Sequence, residues 1–160
     1  MFHYNHNEPL IIAGFGNILL SDEGVGVEVI KKLSQQALPK SITLYDGGTN
    51  SLDFISQLTN YSQAILIDAI LTSHQESDLL EFSLNDVHFN EKAIEWSLHE
   101  MTLNQMFQLM NLLDIAIPRV LIIGIKIQQF EIGMGISKKV EPLVESVVQK
   151  INLLVGGQYA

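Results

Sequence analysis

Four side chains able to hold a cation or move a proton stand where the apolar pattern of this chain breaks: Glu23, Asp46, Asp68 and His99. Glu23 follows the apolar run Leu10-Ile11-Ile12-Ala13 and a glycine turn, Gly14-Phe15-Gly16-Asn17. Asp46 opens Asp46-Gly47-Gly48-Thr49 directly after the run at 42–45, and Asp68 interrupts the run at 64–70. A charged group in a buried strand is costly unless it is paired or bound to a metal. Two carboxylates and one imidazole from separate strand or loop ends suit a divalent transition metal with open coordination positions. Each residue also has an ordinary structural use: dipole compensation for Glu23, a turn for Asp46, a cap or backbone hydrogen bond for Asp68, capping or packing for His99. His74 and His88 lie in polar stretches and read as solvated, and His3 and His6 sit near the chain start as weak ligand candidates.

Other chemistries are excluded by what the spacing lacks. A dinucleotide fingerprint needs glycine where Leu19 stands, and a phosphate-binding loop needs a lysine, of which there is none before Lys31. Asp22 and Glu23 would repel a phosphate at the helix start. Neither a G-x-S-x-G nucleophile elbow nor H-E-x-x-H is present. With no cysteine there is no thiol nucleophile, thiolate ligand or disulfide. What remains is a site for a cation or for polar substrate groups.

Composition sets the frame around that site. At 160 residues with 47% apolar residues, the chain is expected to form one domain over 1–160, with 1–9 a loose lead-in. No apolar run approaches the ~18 residues that span a bilayer, and the first residues lack the pattern of a secretory signal. A cytoplasmic protein without a membrane partner is therefore expected. The net charge of −9, with Arg119 as the single arginine, argues against a nucleic-acid partner.

The elements that must position these residues follow from periodicity. Apolar runs at 10–13, 42–45, 64–67 and 119–127 read as strands, and rough alternation at 79–84 reads as an edge strand that runs antiparallel. Helical spacing predicts a helix after Ser21 or Asp22 as cap, with Val25, Val29, Ile30 and Leu33 inward. A second is predicted over 51–61 with Leu52, Ile55 and Leu58 on one face, and a third through Leu103, Met106, Phe107, Met110 and Leu113. Ser137 is expected to cap a long last helix with Val140, Leu143, Val144, Val147, Val148 and Ile151 inward. The stretch 85–96 shows no period and reads as a loop, as does the glycine-containing 128–136. Strands alternating with helices give an α/β sandwich with a largely parallel sheet, whose strand ends bring Glu23, Asp46 and Asp68 to one side.

At this point the motifs match a known family. GFGNILLSDEGVGVEVIKKL, then LYDGGT, AILIDAI, SLHEMTL and the late VLIIGIKI and GISKKVEPLVESVV resemble the nickel–iron hydrogenase maturation endopeptidases, in the family's order, from about residue 10 to 154. The G-x-G-N…D-E-x-x-G segment and D-G-G-T are fairly specific together and weak alone. The resemblance implies a three-layer α/β sandwich with a twisted, mostly parallel five-stranded sheet and helices on both faces. It implies an endopeptidase that removes a C-terminal extension from a hydrogenase large-subunit precursor after nickel insertion. Glu23, Asp68 and His99 would be the metal-contacting and catalytic residues, and Asp46, Gly47, Gly48 and Thr49 the substrate-recognition loop. Nickel would arrive in the substrate, with other divalent cations able to occupy the site. One departure is the segment Glu131-Ile132-Gly133-Met134-Gly135, richer in glycine than the family suggests. The competing readings are a non-catalytic nickel-sensing chaperone of the precursor, and a self-contained metallopeptidase that would carry its own zinc.

Overall fold

A computed structural model describes residues 2–72, 77–84, 94–96 (backbone only) and 101–156. Its centre is a sheet in the order β2-β1-β3-β6-β4, from β1 (Leu10–Phe15), β2 (Ile42–Gly48), β3 (Gln63–Thr72), β4 (Leu79–Ser83) and β6 (Arg119–Lys126), with short β5 (Ile94–Trp96) beside β3. Strands β2, β1, β3 and β6 are parallel; β4 runs antiparallel to β6 at the edge and β5 antiparallel to β3. The edge strand thus takes the expected direction. The unperiodic stretch does not: three of its residues form β5, too short to show an alternation. The predicted loop at 85–93 lies outside the described residues.

Alternation along β1 explains the layers. Leu10 and Ile12 face one way and pack with α1 (Val25–Leu33) and α4 (Glu141–Leu154). Ile11, Ala13 and Phe15 face the other way and pack with α2 (Ser51–Leu58) and α3 (Leu103–Leu112). All six residues of β1 are buried, as a central strand covered on both faces requires.

Several helix boundaries differ from the periodic reading. Neither Ser21 nor Asp22 caps α1; Ser21–Gly24 is a 3-10 turn, and Asp22 accepts hydrogen bonds from the backbone N–H (2.6 Å) and hydroxyl (2.9 Å) of Ser137. Ser137 is consequently tied to Asp22, and α4 starts later, at Glu141, with Pro142 in its first turn. In α2 the inward residues are Phe54, Ile55 and Leu58, while Leu52 is exposed; Asn50 supplies the cap. Helix α3 ends at Leu112, leaving Leu113 outside the core.

The lead-in is held more firmly than its composition suggests. Buried Gln63 accepts a hydrogen bond from Asn5 N–H and donates to the Asn5 carbonyl, at 2.8 and 2.9 Å. Arg119 pairs with Glu8 at 2.7 Å, and this guanidinium holds the Glu8 carboxyl below its ordinary range. Tyr4 reaches Ser41 at 3.1 Å. Residues 2–9 therefore run along the amino ends of the strands, away from the acidic positions.

Candidate active site at the strand ends

The connections out of β1 and β3 leave in opposite directions, β1 toward β2 and β3 toward β6 and β4. The crevice between the carboxyl ends of β1 and β3 is therefore the topological switch point of the sheet, where open α/β sheets bind ligands. Glu23 stands on the 3-10 turn after β1, and Asp68 stands on β3 just past the last β1 pairing, Gly14 with Ile67. Both are 0% exposed. The 3-10 turn carrying Glu23 packs on β3 itself.

The local reason for Asp68's place is a break in the ladder. On that edge of β3, β1 stops at Ile67 and β5 begins at Ile70, which opposes Trp96. The interval between them holds Asp68 and Ala69, and the Ala69 N–H is taken by Asp68 Oδ1 at 2.8 Å. The carboxylate thus satisfies its own strand's N–H where, among the described residues, neither β1 nor β5 pairs with it. On the other edge Asp68 stays in register with Gly124 of β6. Alternation puts its side chain on the Ala64 and Leu66 face, toward the layer of α2 and α3.

Glu23 is oriented by a residue the sequence reading left without a role. Asn17 N–H donates to Glu23 Oε2 at 2.5 Å, and Asn17 Oδ1 accepts from Leu19 N–H at 3.0 Å, shaping the same turn. The G-F-G-N string therefore does more than bend the chain. Its asparagine aims a backbone donor at the carboxylate.

The third carboxylate separates from these two. Asp46 is exposed, and its Oδ1 accepts from Gly48 N–H at 3.0 Å, closing a turn on itself. Register places Asp46 beside Gly14 and Gly14 beside Ile67, one position short of Asp68 and two strands away, about 10 Å by strand spacing. All three acidic residues therefore reach the carboxyl side of the sheet, Glu23 and Asp68 buried and Asp46 at the surface. The D-G-G segment does not stop β2 as expected. The strand runs through Gly48, and the register shift between Gly14 and Phe15 makes Gly47 an extra residue in a bulge.

The two glycines have different reasons. Gly48 has φ +48°, with only Asp46 Oδ1 near where a Cβ would go. Gly47 has ordinary backbone angles, but a Cβ there would fall 2.4 Å from the Phe15 ring. We expect Gly48→Val to strain this bulge by about 1–2 kcal/mol, slowing substrate cleavage while the buried carboxylates still bind cadmium. Calorimetry with cadmium beside a cleavage assay checks this; normal cleavage would remove the loop from substrate recognition.

His99 lies outside the described residues, as do His74 and His88. Among the described residues no group of three His, Cys, Asp or Glu side chains is arranged to hold a metal. Two carboxylates are a hard-oxygen partial set, and a third donor from another segment would complete it. One further polar side chain belongs to the frame of the site. Ser51, 1% exposed, donates its hydroxyl to the Met101 carbonyl, fastening the chain after the D-G-G-T loop to the approach of α3. Among the described residues no helix is long and apolar enough to cross a membrane.

Solved structures carry the same α/β architecture, a mostly parallel sheet with helices on both faces. An [NiFe] hydrogenase maturation protease HybD from Thermococcus kodakarensis superposes with a TM-score of 0.73 at 22% identity, covering 92% of this chain and 99% of that one. The hydrogenase maturating endopeptidase HybD from Escherichia coli gives 0.72 at 21%, covering 91% and 90%. Among curated relatives, the hydrogenase 2 maturation protease of Escherichia coli K12 is 23% identical over 146 residues, 89% of this chain and 87% of its own length. A hydrogenase maturation protease family model matches residues 27–153. The chain belongs to the hydrogenase maturation protease family, and it is a peptidase. The matched span includes Asp46, Asp68 and His99 and begins after Glu23.

Proposed function

We propose that this protein removes the C-terminal extension of a nickel–iron hydrogenase large-subunit precursor in the cytoplasm once nickel has been inserted. The observation that carries this reading is the pair Glu23 and Asp68, fully buried yet set at the switch-point crevice of a peptidase fold. Two carboxylates buried at a ligand crevice, each with one oxygen held by a backbone N–H, suit a cation that arrives with the substrate. Nickel is cargo in this reading, met by Glu23, Asp68 and His99. Topology supports the histidine's part: β5 ends at Trp96 opposite Ile70, two residues along β3 from Asp68, and His99 follows three residues later in the sequence. Asp68 also faces the helical layer that the chain enters after His99, at α3.

The division of labour is then as follows. Asn17 N–H fixes one oxygen of Glu23, and Ala69 N–H fixes one oxygen of Asp68, so both carboxylates are held before substrate arrives. The segment Asp46-Gly47-Gly48-Thr49, exposed at Asp46 and Thr49, contacts the substrate near the scissile bond. Nickel serves as the recognition element that Glu23, Asp68 and His99 read; an ion held beside the scissile bond would also supply charge to polarise the carbonyl or activate water, in a chain with no cysteine nucleophile.

The test is incubation with nickel-loaded precursor. We expect the precursor to shorten at its C-terminus, and nickel-free precursor to stay intact. Stable binding of nickel-loaded precursor without shortening would replace this reading with a chaperone role. Purified protein carrying stoichiometric zinc and cutting small peptides would replace it with a self-contained metallopeptidase.

A further inference from the structure

The turn that carries Glu23 also builds an apolar rim, and nothing in the chemistry of the carboxylates accounts for it. Ile18 and Leu19 are 50% and 58% exposed, and Ile132 and Met134 are 94% and 79% exposed. These two pairs come from loops far apart in sequence that are stapled together. Gly133 N–H donates to the Leu19 carbonyl at 2.9 Å, Ser21 N–H donates to the Gly133 carbonyl at 2.8 Å, and the Ser21 hydroxyl reaches the Gly135 carbonyl at 3.1 Å. The rim is therefore a fixed surface made by both loops.

Two features say what covers it. The rim is continuous with the candidate site, since Asn17, whose N–H holds Glu23, immediately precedes Ile18. Its apolar centre also stands inside a charged border: the stretches 14–21 and 132–137 contain no ionisable side chain, while Asp22, Glu131, Lys138 and Lys139 flank them. Depletion of charge at an apolar centre is the compositional mark of a protein–protein interface, and large side chains left exposed next to a site mark a partner surface.

We propose that Ile18, Leu19, Ile132 and Met134 form the docking surface for the folded body of the hydrogenase large-subunit precursor, beside the crevice that receives its nickel. This rests on the functional reading above and adds the surface that sets affinity. The rim contributes to binding of the precursor, whereas Glu23 and Asp68 act on what it carries.

The test uses the full chain and nickel-loaded precursor, with steady-state cleavage and direct precursor binding measured side by side. The double variant Ile132→Asp with Met134→Asp is expected to raise KM and the precursor Kd at least about tenfold, the factor that corresponds to about 1.4 kcal/mol, with kcat retained. Leu112→Asp, an equally exposed apolar residue at the end of α3 on the opposite side of the sheet, is expected to change neither. Thermal melts accompany each variant, and the milder Ile132→Ser with Met134→Ser serves if the aspartates lower Tm. Unchanged KM and Kd overturn the proposal. So does a fall in kcat alone, or a wild-type dimer that the variants split without affecting cleavage. If wild type binds precursor without cutting it and the rim variants weaken that binding, the rim stands and the cleavage reading fails; if wild type does neither, both fail.

Discussion

Asp68→Asn is expected to leave the fold standing and reduce precursor cleavage at least about 100-fold. The bound on the loss follows from ligand chemistry: outer partners of metal ligands already cost 10–100-fold when changed, and Asp68 is proposed to touch the ion directly. The substitution keeps the shape and the oxygen that accepts from Ala69 N–H, so the β3 ladder gap stays closed. It removes a charge that is 0% exposed, and relief of that burial offsets part of any loss of contacts. Stability in denaturant should therefore stay within about 1 kcal/mol of wild type or rise, as is common where a site is held against the interest of stability. The matching variant Glu23→Gln keeps an acceptor for Asn17 N–H and should behave alike. The check is cleavage of nickel-loaded precursor beside urea unfolding followed by circular dichroism. An Asp68→Asn protein that unfolds, or one that cleaves normally, would make Asp68 a structural carboxylate.

Gly26→Val is expected to cost at least about 3 kcal/mol of stability, a large share of the 5–15 kcal/mol typical of a domain. A Cβ at Gly26 would lie 2.3 Å from the Phe15 carbonyl oxygen and 2.5 Å from that of Ile67. Both are backbone atoms of central strands, with no flexible end to swing aside. Gly14 is the reciprocal surface, where a Cβ would lie 2.0 Å from the Gly26 carbonyl oxygen. The first turn of α1 thus rests directly on the backbones of β1 and β3. That contact sets the height of the 3-10 turn, and with it the position of Glu23 over the crevice. A contrasting variant, Gly133→Ala, meets only the Ser21 Cβ at 3.9 Å and should change stability by less than about 0.5 kcal/mol. Equal costs for both variants would show that the tight helix-on-sheet contact is not what Gly26 provides.

Much of this molecule was legible before any coordinates. The runs at 10–13, 42–45, 64–67 and 119–127 all became strands; β1, β3 and β6 are buried on both faces, which a continuous apolar run permits, while β2 takes the edge with residues 42–45 half-buried or exposed. The alternation at 79–84 became the antiparallel edge. Charged residues interrupting or ending those runs marked the carboxyl side of the sheet, where Glu23, Asp46 and Asp68 are found. Local pattern carries such information because the solvent exposure of each residue is set by the period of its own element.

Other features depend on partners distant in the chain, and the sequence alone did not determine them. Trp96 belongs to a strand only because β3 extends past β1 and leaves an edge for β5 to pair. Asp22 reads as a cap until Ser137 takes both its oxygens. Leu52 shares a periodic face with Ile55 and Leu58 in the sequence, yet Phe54 takes the inward place and Leu52 is exposed. Gln63 carries no signal in the sequence, yet it is buried and binds residues 5 and 8. The separation of buried Glu23 and Asp68 from exposed Asp46 is the same kind of fact. Three acidic residues after three apolar runs look equivalent in one dimension. The bulge at Gly47, the ladder gap at Ala69 and the Asn17 donor, each made by a neighbouring strand or turn, are what make them different.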